Sequence, residues 1–118
     1  MNEVLGLSAD IATLPVVEVA QRLGQPVSRV HQLVRDGHLL SFRREGEVVV
    51  PTDFLGDDGE VIKGLSGTIT VLRDGGYADP DILRWLFAED DSLPGTPVAS
   101  LRAGRHREVK RRAQAMAF

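Results

Sequence analysis

Leu14-Pro15-Val16-Val17-Glu18-Val19-Ala20-Gln21-Arg22-Leu23-Gly24 opens the stretch that decides the fold, and Gln25-Pro26-Val27-Ser28-Arg29-Val30-His31-Gln32-Leu33-Val34-Arg35-Asp36-Gly37 continues it. From Thr13 the pattern is helical: Val16, Val19, Ala20 and Leu23 make one apolar stripe. Gly24 stops that helix, since glycine enters the left-handed conformation cheaply. Pro26 stands at the mouth of a second helix, where a missing N–H costs nothing. Val30, Leu33 and Val34 form its buried stripe, and Gly37 ends it. Two helices joined by so short a glycine turn are a helix-turn-helix.

After Gly37 the period changes to two. Leu40 and Phe42 alternate with Ser41 and Arg43, Glu45-Gly46 marks a tight turn, Val48 and Val50 resume the alternation, and Pro51 closes it. This is a β-hairpin of about ten residues with a basic tip. A lone two-stranded hairpin is marginal in water, so it must pack on the helices before it. The order helix, glycine turn, helix, hairpin is that of a winged helix-turn-helix. In that architecture the first helix braces the second, the second lies in the DNA major groove and the hairpin reaches the backbone.

The second helix has the polar face this role needs. Ser28, Gln32 and Arg35 fall opposite Val30, Leu33 and Val34, with Arg29 and His31 on the flanks. Arginine can read guanine bidentately, glutamine can read adenine, and serine or histidine can donate to bases or phosphates. Arg43 and Arg44 at the hairpin suit phosphate contacts, although Glu45 and Glu47 partly cancel their field. Arg22, on the outer side of the first helix, is a weaker phosphate candidate. The competing reading is an ordinary solvated helix face, with Arg35 complementing the helix dipole.

Downstream, Asp57-Asp58-Gly59 is a turn and Val61-Ile62 a short extended piece. Thr68 to Arg73 reads as a helix ended by Gly75-Gly76. Asp79-Pro80 signals a helix start, with Asp79 as cap, and Ile82, Leu83 and Leu86 supply the buried stripe. Trp85 reads as core rather than as a ligand platform. Thr96-Pro97 repeats the start signal, and a last helix begins near Arg105. The expected fold is mainly α with one β-hairpin: a flexible tail over 1–12, a winged helix-turn-helix over 13–55 and a small C-terminal helical domain over 64–118.

The chain has 118 residues, 26% of them charged and 42% hydrophobic, and no cysteine. That composition describes one soluble globular domain, or two small modules sharing a core. It excludes a disulfide framework, a thiol nucleophile and every cysteine-ligated metal site. No apolar run is long enough for a membrane span and no secretory signal is visible, so a cytoplasmic protein is expected. His31, His38 and His106 lack the close spacing of a metal site. No catalytic motif appears, and Gly75-Gly76 follows a helix, so it is not a phosphate loop. A non-enzyme without cofactors is expected.

The net charge of −3 hides a pattern. Residues 13–50 sum to +1, residues 51–100 carry ten acids against three bases, and residues 101–118 carry six bases against Glu108. A uniformly basic nucleic-acid binder is excluded; a local basic face is not. The run Arg105, Arg107, Lys110, Arg111 and Arg112 has three readings: a solvated helix end, an additional DNA-backbone patch, or a contact to the acidic middle.

The opening stretch Leu14–Gly24, with its continuation through Gly37-His38-Leu39 to Val50-Pro51, resembles the excisionase and MerR-type winged helix. Ile69-Thr70-Val71-Leu72-Arg73-Asp74-Gly75-Gly76-Tyr77, Ile82-Leu83-Arg84-Trp85-Leu86-Phe87 and Arg107-Glu108-Val109-Lys110-Arg111-Arg112-Ala113-Gln114-Ala115-Met116-Ala117 extend the match. Over about residues 13–118 the chain is similar to a small actinobacterial family of winged-helix DNA-binding proteins with a mycobacterial member that is a Ser/Thr protein kinase substrate. The resemblance implies binding to double-stranded DNA, a role in transcription regulation, and phosphorylation near the N-terminus. Thr13, the threonine available there, stands where it would cap the first helix. The Trp85-Leu86 helix, the Leu93-Pro94-Gly95-Thr96-Pro97 turn and the final helix also resemble the toxin-binding domain of Xre-type antitoxins. That likeness implies a homodimer or a protein partner held through 64–118, and an antitoxin-like interaction module as the alternative function.

Overall fold

The computed structural model describes residues 7, 9–91 and 93–117. Its first element is not the expected helix start but a strand, β1 (Thr13–Pro15). Helices α1 (Val16–Leu23) and α2 (Val27–Arg35) follow, then β2 (Phe42–Arg44), β3 (Glu47–Pro51) and a 3₁₀ turn (Thr52–Phe54). Four helices complete the chain: α3 (Leu65–Asp74), α4 (Asp79–Leu86), α5 (Pro97–Arg102) and α6 (His106–Ala117).

β1 corrects two expectations. The hairpin is one part of a three-stranded antiparallel sheet of order β1-β3-β2, in which Thr13 faces Pro51 and Leu14 faces Val50. Thr13 therefore caps nothing; the residue before α1 is Pro15, in extended backbone and without a side-chain cap. The physical cause is the free edge of β3. Leu14 is buried by lying on it, and an edge strand tolerates Pro15. Central position also explains why Val49 and Val50 are both buried: adjacent residues point to opposite faces, and both faces of β3 are covered. The strict one-sided alternation expected there is absent.

The turn signals act as expected. Gly24 leaves α1 at φ 63°, in the left-handed region, and Gly46 stands at φ 80° beside Glu45 at φ 52°. Two central residues at positive φ make the type I′ turn that matches strand twist. Thr96 caps α5 by accepting from the Ala99 amide at 3.2 Å. Asp79 departs from its expected role. Ala78 occupies the cap position, and the Asp79 carboxylate turns to Arg73 instead.

One apolar core runs through the molecule. Val19, Val30, Leu40 and Val50 from the front half join Leu65, Ile69, Leu83 and Val109 from the back half. Phe54 and Phe87 meet across the halves with ring centroids 5.7 Å apart. Trp85 is half-buried against this core. Arg102 of α5 donates to the carbonyls of Asp53 and Leu55 at 2.9 and 2.8 Å, tying the back half to the 3₁₀ turn. Of the stretch 1–12, residues 1–6 and 8 lie outside the described residues, whereas Leu7 packs on the core and the Ala12 carbonyl accepts from Thr52.

Candidate nucleic-acid interface

α2 presents the face expected of it. Val30 is fully buried, Leu33 and Val34 are half-buried, and Ser28, Arg29, His31, Gln32 and Arg35 are all exposed. Ser28, Gln32 and Arg35 share one stripe because steps of four and three residues return to the same side of a helix. Arg29 lies beside it, and its Nη1 donates to Gln32 Oε1 at 2.8 Å. A cation and an amide are thus held together on the outer surface, with a hydroxyl and an imidazole to either side. That set can contact phosphates and base edges.

The two wing arginines differ from each other. Arg43 is exposed and donates to the Gly46 carbonyl at 2.9 Å across the turn. Arg44 is only partly exposed; it donates to the Ile11 carbonyl at 2.7 Å, and its guanidinium lies 5.1 Å from the Phe42 ring centroid. Arg44 thereby fastens the chain before β1 to the wing. Arg22 is exposed on α1, beside an open cleft shared with Asp53, Asp57 and Arg102.

Three residues support the interface in a way that their local sequence does not signal. Arg73, on α3, donates to the Val34 carbonyl at 3.3 Å and reaches the Arg35 carbonyl at 3.5 Å. Both carbonyls lie at the end of α2, where that of Val34 also accepts from the Gly37 amide at 3.2 Å, and a cation there complements the helix dipole. Asp79 holds the same guanidinium through both carboxylate oxygens, at 2.9 and 2.8 Å. His38, just past α2, hydrogen-bonds Ser66 at 2.7 Å. Only pairing across distant parts of the chain reveals these supports. Among the described residues, no group of three or more His, Cys, Asp or Glu could hold a metal ion, and no helix is long and apolar enough to cross a membrane.

Known proteins share this arrangement. Residues 3–55 match a family profile described as "DNA-binding protein Rv2175c, wHTH domain", and residues 62–117 match "Rv2175c C-terminal domain of unknown function". The DNA-binding protein Rv2175c of Mycobacterium tuberculosis is 47% identical over 124 residues, covering 95% of this chain and 85% of the relative. The chain belongs to the Rv2175c family. An NMR structure of Rv2175c superposes with a TM-score of 0.90 at 44% identity, covering all of this chain and 89% of that one. The winged helix-turn-helix and the helical part behind it are therefore features of the Rv2175c family fold.

Proposed function

We propose that this chain binds double-stranded DNA and regulates transcription by inserting α2 into the major groove. Arg29, Gln32 and Arg35 meet base edges and phosphates there, Ser28 and His31 flank them, and Arg43 with the remaining reach of Arg44 meets the backbone. The observation that carries this reading is the outer face of α2. Every polar residue expected on it is exposed while Val30 beneath is fully buried. Membership of a family whose relative is named a DNA-binding protein supports it.

A single nine-residue helix reads few base pairs. Sequence specificity then calls for two copies on adjacent half-sites, as is usual for helix-turn-helix proteins.

The test is fluorescence anisotropy of a labelled random-sequence duplex across a salt series. Affinity that falls log-linearly with salt supports the proposal, and the slope counts neutralised phosphates at about 0.9 per contact. Absence of binding at low salt overturns it.

A further inference from the structure

Apart from the exposed Lys110, the bases of the back half divide into two groups. Arg73 is held by Asp79, Arg84 pairs with Asp81, Arg102 is spent on two backbone carbonyls, and Arg112 meets Asp90 at 3.2 Å. Lys63, Arg105, Arg107 and Arg111 are exposed and form no ion pair among the described residues. Those four line one open cleft of about 460 Å³, with Glu108 as the carboxylate among them. Among the described residues, only Arg112 of the C-terminal basic run turns to the acidic middle of the chain.

Lys63 joins this cleft to the candidate interface. It also lines a neighbouring cleft of about 360 Å³ whose other wall carries Arg29, Leu33 and His38. The close approach that places it there depends on Gly64. This residue has φ 91°, and a Cβ on it would come within 2.3 Å of His106 Cβ. The 63–64 segment is thereby seated against the start of α6, and Lys63 is shared between the cleft of Arg29 and the cleft of Arg105, Arg107 and Arg111.

Four cations against one carboxylate repel one another, and a polyanion laid along them removes that repulsion. We propose that Lys63, Arg105, Arg107 and Arg111 form a second DNA-backbone contact, engaging phosphates of the same duplex that α2 enters. The inference rests on the DNA-binding reading of α2 and assigns the back half a share in binding. A duplex fits this strip because it supplies regularly spaced phosphates continuous with those beside α2. The strip adds affinity and reach without reading sequence.

The test uses the full chain carrying Lys63→Gln, Arg105→Gln, Arg107→Gln and Arg111→Gln together, with folding checked by the urea midpoint. Anisotropy on the random duplex should show affinity lowered roughly tenfold or more, and a log–log salt slope shallower by about two to four. Hydroxyl-radical footprinting should lose protected phosphates at one edge and keep those around the α2 groove. In the unsubstituted protein, the amides of residues 104–111 should shift in NMR spectra when duplex is added. Wild-type slope and footprint in the fourfold variant, or unmoved amides at 104–111, overturn the second contact and leave the α2 reading standing. Absence of salt-dependent binding by the unsubstituted protein overturns both.

Discussion

Arg73 and Asp79 form a two-pronged ion pair whose guanidinium also reaches the last carbonyls of α2, 39 residues earlier in the chain. The recognition helix is thus braced at its C-terminal end by the back half, much as α1 braces it from the front. Ion pairs at a partly exposed site contribute little by themselves, whereas hydrogen bonds from a charged donor to helix-end carbonyls are worth more. Arg73→Ala should lower stability by about 1–3 kcal/mol. Urea unfolding checks this; an unchanged midpoint means the clamp is ornamental. Because Arg73 lies behind α2, the variant should also bind DNA more weakly, with Arg73→Lys intermediate.

Gly37 lies under the same clamp. It sits at φ 83°, and a Cβ there would stand 3.0 Å from Arg73 Nη1. Gly37→Ala combines left-handed strain with displacement of the guanidinium and should destabilise by about 1–2 kcal/mol or more. In a double-mutant cycle the loss should be smaller when Arg73 is already alanine, because one part of it is the displaced guanidinium. Strict additivity would show that the two residues do not communicate.

The wing arginines should separate experimentally. Arg44→Ala removes the bond to the Ile11 carbonyl and the stacking on Phe42. It should speed amide hydrogen exchange at Thr52, which donates to Ala12 beside that anchor. Arg43→Ala should leave Thr52 protected and act on DNA affinity. Equal exchange in both variants would contradict this division.

Glu45 pays a conformational cost at φ 52° that asparagine bears more easily. Glu45→Asn should stabilise the protein by a few tenths to about 1 kcal/mol. By removing a carboxylate beside Arg43 and Arg44 it should also tighten duplex binding. A lower melting temperature would show that the contact Glu45 makes is worth more than the strain it bears.

Much of this molecule was legible along the chain because its signals are local. Gly24, Gly37 and Glu45-Gly46 punctuate the helix-turn-helix and the wing, and the spacing of Val30, Leu33 and Val34 fixes which side of α2 faces out. β1 was not legible, since three residues are too few to display a period and their strand state comes from the open edge of β3. Asp79 reads as a cap because Asp-Pro opens helices; in the fold the cap position falls one residue earlier, on Ala78, and Asp79 pairs with Arg73. The candidate site follows the same rule. The reading face was visible in the α2 sequence, while Arg73, the Gly64 approach and the position of Lys63 exist only once distant segments are packed.

The central claim is that the outer face of α2 holds DNA. The most direct measurement is duplex affinity of the Arg29→Ala, Arg35→Ala double variant, with the far-UV circular dichroism spectrum recorded alongside. Both side chains are exposed, so the spectrum should match that of the unsubstituted protein. Affinity should fall by more than roughly tenfold, as expected when two phosphate- or base-contacting arginines are lost. Unchanged affinity with an unchanged spectrum would contradict the assignment of this face.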